Sequence, residues 1–143
     1  MEKYIFLRSN DSKVNYFKDN NSYHFRVKLN QRLIFHGYWV VSLTEINFGK
    51  LIGVDNIKDP YVDILCNLCD TSLVGDVQLP LLRHIDLRLG PNYTFANEYN
   101  IHVVVKESPD IEIVIKVSDE VSQTFLSEDT TVTLHLQRYP FAS

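Results

Sequence analysis

The stretch Trp39-Val40-Val41-Ser42-Leu43-Thr44-Glu45-Ile46 decides the fold class. Trp39, Val41 and Leu43 alternate with Val40, Ser42 and Thr44, the period-two pattern of a β-strand whose successive side chains face opposite ways. One step further, the same face presents the carboxylate Glu45 where an apolar residue is due. On that register Glu45 must lie near a sheet end or be held by backbone amides or an arginine.

The same alternation recurs on both sides of this segment. Tyr4 to Arg8 reads as a short strand followed by the turn-forming run Ser9 to Lys13. In Tyr23 to Leu29, Tyr23, Phe25, Val27 and Leu29 point inward and His24, Arg26 and Lys28 outward. Tyr61 to Leu68 alternates with Val62, Ile64, Cys66 and Leu68 on one side, and a further strand follows a turn at Gly75-Asp76. Pro80 cannot donate to a ladder and marks an edge, a bulge or a bend, beyond which Leu81 to Leu87 can pair. Gly90-Pro91-Asn92 reads as a turn, Tyr99 to Val105 as a strand, and Ile111 to Val117 and Thr131 to Leu136 close the series. About eight strands with turn signals between them, and no helix longer than a turn or two, predict an all-β domain. A Greek-key sandwich, an up-and-down barrel and a jelly roll all accommodate this pattern. The immunoglobulin type lacks its Cys-Trp-Cys order, and a jelly roll accepts the long uneven loops.

With 143 residues, 45% of them hydrophobic, the chain supports one core, and residues 1–143 are read as one domain. A net charge of -4 argues against direct nucleic-acid binding. Residues 1–8 carry too short an apolar run for a signal peptide or a membrane span, which predicts residence in the cytosol or nucleus and no glycosylation of the sequons at Asn10, Asn20 and Asn92. Cys66 and Cys69 have no second CxxC and no histidine pair, and as strand residues three apart they point to opposite faces, so they read as small apolar residues.

No enzyme constellation stands out. The five histidines, His24, His36, His84, His102 and His135, occur singly, without the His-x-His of a cupin, and no nucleophile elbow, Walker loop or dinucleotide fingerprint is present. The expectation is a non-enzyme without a cofactor or metal. Acidic residues such as Asp110, Glu112, Asp119, Glu120, Glu128 and Asp129 read as solvated. The competing class is a β-sandwich module that binds carbohydrate or a receptor through exposed aromatics such as Tyr61, Tyr93, Phe95 or Tyr139, though secreted modules usually carry disulfides.

Several motifs together carry a resemblance. Phe17-Lys18-Asp19-Asn20-Asn21, followed by Phe25 to Leu29, resembles the opening of the penton, or minor capsid, proteins of Polinton/Maverick elements and adintoviruses. Trp39 to Ile46, with Leu43 and Glu45, resembles that family's Trp-Glu-Val-x-Leu-x-Glu-Ile signature. Val74-Gly75-Asp76 and Pro80-Leu81-Leu82-Arg83 resemble its Val-Gly-Asp and Pro-Leu-Leu-Arg segment, and Leu134-His135-Leu136 its closing strand. Lys18 stands where the family usually has proline, Val40 where it has glutamate, and Leu136-Gln137 where it has Phe-Arg.

The resemblance implies a single jelly-roll β-sandwich of about eight antiparallel strands, forming homopentamers at the five-fold vertices of an icosahedral capsid. It implies a virion location, assembly in the host cytoplasm or nucleus, and a double jelly-roll major capsid protein as neighbour. A capsid gene retained by a host for another role is the alternative within that family. On this reading Arg83 is a partner for Glu45, and Trp39 sits between the sheets. A closed ring needs two different patches on each subunit. The candidates are the strand-face charges Arg26, Lys28, Glu112 and Lys116, the apolar pair Leu51-Ile52, and the segment Tyr139-Pro140-Phe141 facing the major capsid protein. Leu51-Ile52 reads equally well as a loop folded over the core, and the last segment as a frayed end.

Overall fold

The computed structural model describes residues 2–49, 51, 58–117 and 129–139. Its strands are β1 (Glu2–Arg8), β2 (His24–Ile34), β3 (Trp39–Asn47), β4 (Tyr61–Cys66), β5 (Ser72–Val74), β6 (Val77–Leu79), β7 (Leu81–Asp86), β8 (Asn92–Thr94), β9 (Ile101–His102), β10 (Glu107–Val117) and β11 (Thr131–Arg138). One 3-10 turn, Leu87–Leu89, follows β7. One sheet runs β1-β11-β3-β8, with β9 also on β3, and the other runs β2-β10-β4-β7. All of these pairings are antiparallel.

The pairing is nested. β1 pairs with β11, β2 with β10, β3 with β8 and β9, and β4 with β7, so the chain behaves as one long hairpin rolled into two sheets. That arrangement is a jelly roll. The β5–β6 hairpin lies apart from both sheets, and its two-residue turn needs Gly75 at φ 64°. The inner faces interdigitate: Leu7, Trp39, Val41, Leu43, Ile46, Val132, Leu134 and Leu136 from one sheet meet Phe25, Val27, Val62, Ile64, Leu82, Ile85, Ile111, Ile113 and Ile115 from the other. Trp39 lies in this layer, as expected, with its ring edge-on to Phe35 and its Nε1 donating to the His36 carbonyl at 2.9 Å.

Glu45 departs from expectation. Leu134 faces Leu43 and Thr133 faces Glu45, so Thr44 is an extra residue on β3. This bulge reverses the alternation. Trp39, Val41 and Leu43 point inward before it and Ile46 after it, while Glu45 is exposed. The carboxylate needs no buried partner, and neither a hydrogen bond nor an ion pair joins it to Arg83.

Three other expectations also change. The strand expected over Tyr99 to Val105 shrinks to β9, because Val103 N–H turns to the Trp39 carbonyl and Val104 N–H to that of Leu68. Asn92, read as part of a turn, begins β8. Cys66 and Cys69 do not face opposite ways: β4 stops at Cys66, Cys69 N–H donates back to the Cys66 carbonyl at 3.1 Å, and both thiols are buried. Their mutual hydrogen bond and burial push the Cys69 thiol pKa up, which keeps it protonated and unreactive.

The Asp19-Asn20-Asn21 motif acquires a physical role at the free edge of β2. Asn20 is buried; its Oδ1 accepts from Arg26 N–H at 2.9 Å and its Nδ2 donates to the Arg26 carbonyl at 2.8 Å. Asn21 Oδ1 accepts from Tyr23 and His24 N–H, and Ser12 Oγ accepts from Lys28 N–H. Polar side chains thus occupy the edge groups that another strand would otherwise take. Replacing Asn20 with Ala leaves a buried donor and acceptor unpaired, each worth about 1–3 kcal/mol; urea denaturation should register a loss of roughly 2 kcal/mol or more. Glu45→Ala, by contrast, should shift stability by no more than about 0.5 kcal/mol.

Candidate assembly surfaces

Outward-facing residues of the β2-β10-β4-β7 sheet form a charged lattice. Glu112 accepts from His24 Nε2 at 2.7 Å and pairs with Arg26 at 3.1 Å, and Arg26 also reaches Asp110 at 3.7 Å. Burial alone would raise the Glu112 carboxyl, but hydrogen bonds and charge from His24 and Arg26 outweigh it and hold its pKa below the usual range. Lys28 stands opposite Asp110 and Lys116 opposite Asp63, both lysines exposed. The four charges singled out from sequence therefore share one face, and two of them, Arg26 and Glu112, are in contact. Phe17 flanks them, its ring centre 5.8 Å from the Arg26 guanidinium carbon.

A half-buried dyad on this face was not apparent from sequence. Asp63 is 5% exposed and accepts from His84 Nδ1 at 2.6 Å, with the Tyr61 ring 4.9 Å from the exposed imidazole. A carboxylate that orients a histidine supplies two of the three members of a hydrolytic triad. Among the described residues no serine, threonine or cysteine hydrogen-bonds to His84, and no group of three His, Cys, Asp or Glu side chains is placed to hold a metal. Only the cross-strand register of β4 against β7 brings this pair together.

The opposite face, on the β1-β11-β3 sheet, is aromatic. Tyr4 and Phe6 are 53% and 74% exposed, and Tyr38, Tyr139 and His102 cluster beyond them, with Tyr38 stacked on His102 at 4.5 Å and 5.7 Å from Tyr139. His135 is almost fully buried at its centre. Its Nδ1 lies 2.7 Å from Glu98, its Nε2 2.7 Å from Glu2, and Tyr4 stacks on the ring at 4.3 Å. Burial disfavours the charged ring, but the bonds and charges of Glu98 and Glu2 outweigh it and raise the pKa above 6.5. An imidazolium thus fastens β1 and the β8–β9 loop to β11.

Arg83 stands on β7, at the far edge of the other sheet. Its guanidinium carbon lies 3.8 Å from the Phe95 ring centre and 4.1 Å from that of Tyr99, and Nη1 donates to the Asn97 carbonyl at 2.8 Å. The planar cation, its pKa lowered by burial, seals the β8–β9 loop against β7. Leu51 packs against the core. Ile52 and Phe141 lie outside the described residues. Of the aromatics offered for a sugar platform, Tyr93 and Phe95 pack on the core, while Tyr61 and Tyr139 lie on opposite faces. They do not form one platform.

No protein-family model matches the chain, and no match arises among the curated proteins.

Because the folded pKa of His135 lies above its unfolded value of about 6.5, its contribution to stability is complete below that pH and fades as pH rises through the raised value. The melting temperature of the protein should fall over that alkaline-going window. His135→Gln should be less stable at low pH and should lose this component of the slope, as thermal melts in matched buffers would read.

Proposed function

We propose that this protein is a structural virion component, a penton-type minor capsid protein that forms head-to-tail rings at the five-fold vertices of an icosahedral shell. The observation that carries the reading is the contrast between its two outer faces, one a lattice of paired charges around Arg26 and Glu112, the other an aromatic cluster of Tyr38, His102 and Tyr139. A ring that closes by rotation needs two unlike patches on each subunit. The jelly-roll strand order supports it, as does the placement of the motif residues at joints of the fold: Asn20 on the β2 edge, Trp39 between the sheets, Gly75 in the hairpin turn and Arg83 on the far edge.

The partners that follow are further copies of the chain and, around the ring, a double jelly-roll major capsid protein, with no direct contact to nucleic acid. In this role neither a cofactor nor a catalytic residue is called for. Native mass spectrometry at micromolar concentration, alone and after co-expression with such a major capsid protein, should yield a pentamer in at least one condition. A monomer in both would overturn the proposal. Glu112→Lys, which sets like charges against Arg26, should dissociate the ring while leaving the β-sheet circular dichroism intact.

A further inference from the structure

The two edges that lie side by side at one margin of the sandwich are treated differently. Along β2, the backbone groups of His24 and Arg26 and the N–H of Lys28 are taken by Asn21, Asn20 and Ser12. Along β1, Ser9 N–H donates to the Thr130 carbonyl at 2.9 Å, extending the register in which Arg8 faces Thr131. Bonded pairs in an antiparallel ladder recur at every second residue. Leu7, Ile5 and Lys3 therefore turn their N–H and C=O groups toward β11, and Arg8, Phe6 and Tyr4 turn theirs outward. The Arg8 groups are occupied, its N–H by Asp11 Oδ2 at 3.1 Å and its carbonyl by Asp11 N–H at 3.0 Å. Among the described residues, nothing occupies those of Tyr4 and Phe6, and these are the residues whose aromatic side chains stand 53% and 74% exposed.

We infer that β1 is a self-complementary docking edge, through which two copies of this chain join antiparallel about a two-fold axis at Ile5. The strand Glu2-Lys3-Tyr4-Ile5-Phe6-Leu7-Arg8 carries opposite charges at its ends and an aromatic on each side of its centre. With Ile5 opposite its own copy, Tyr4 faces Phe6 and Phe6 faces Tyr4. Glu2 then meets Arg8 at both ends, all on the outer face. This register also makes the Tyr4–Phe6 pairs the hydrogen-bonded ones, the only choice consistent with the direction of their free groups. Sliding the pair by two residues sets Tyr4 against Tyr4 or Phe6 against Phe6 and breaks both charge pairs. Glu2 and Arg8 keep exposed side chains while bonded to His135 and Asp11, so each can reach across. A contact of seven residues per copy is small and should be reversible at high micromolar concentration. It is isologous, cannot itself build a ring, and does not rest on the vertex reading.

Phe6→Pro tests it, since Phe6 N–H bonds nothing in β11 and proline is tolerated on an edge whose N–H faces outward. The native mass of the wild-type protein should double with concentration, from one chain to two or from one ring to two. The Phe6→Pro variant, with unchanged circular dichroism, should stay at the lower mass in either case. In a second arm, Arg8→Glu and Glu2→Arg should each fail to associate alone and should associate when mixed, because the mixture restores both charge pairs. Doubling that survives Phe6→Pro in a folded variant, no doubling by the wild type, or a charge-swap mixture no better than its components would each overturn the inference.

Discussion

Everything in the sandwich depends on β3 changing phase at Thr44. β3 lies inside its sheet, with β11 on one side and β8 and β9 on the other. A regular strand of this sequence could not bury both Leu43 and Ile46, because residues three apart face opposite ways. The extra residue resolves the conflict, and its backbone and side chain are put to use: Phe95 N–H donates to the Thr44 carbonyl at 2.9 Å, and Thr44 Oγ1 donates to the Thr133 carbonyl at 3.1 Å. The start of the β8–β9 loop, and through it the stack on Arg83, is therefore positioned by the bulge.

Polar side chains do most of their work at the margins. Asn20 and Asn21 stand in for a missing strand along β2, Arg83 holds the opposite margin by stacking, and His135 ties three separate segments together on the outer face. In each case a side chain supplies a bond that the nested topology leaves unmade. The charge lattice around Glu112 is different in kind, since its members are satisfied by one another rather than by an unpaired strand edge.

The strands were legible in sequence wherever strict alternation ran for five or more residues, as in Tyr23 to Leu29 and Ile111 to Val117. Glu45 was misread because a bulge leaves no mark in composition; only the neighbouring strand's register reveals it. Cys69 was misread because the strand ended earlier than the apolar pattern did. Arg26, Lys28, Glu112 and Lys116 were read as strand-face charges because outward positions are fixed by parity; that they share one face follows from the pairing of β2 with β10. The Asp63–His84 and His135–Glu98 pairs were invisible, since each joins residues that only tertiary folding brings together.

The nested pairing also orders events in time. β1 is made before the other described strands, yet its sheet neighbour among them, β11, is made after them all, with Tyr4 and His135 facing each other across that pairing. Topologies dominated by such distant partners fold slowly, because the loop between the partners must close before any contact rewards it. Until β11 leaves the ribosome, the aromatic strand Tyr4-Ile5-Phe6 has no ladder to join and remains available to anything that binds extended apolar chain.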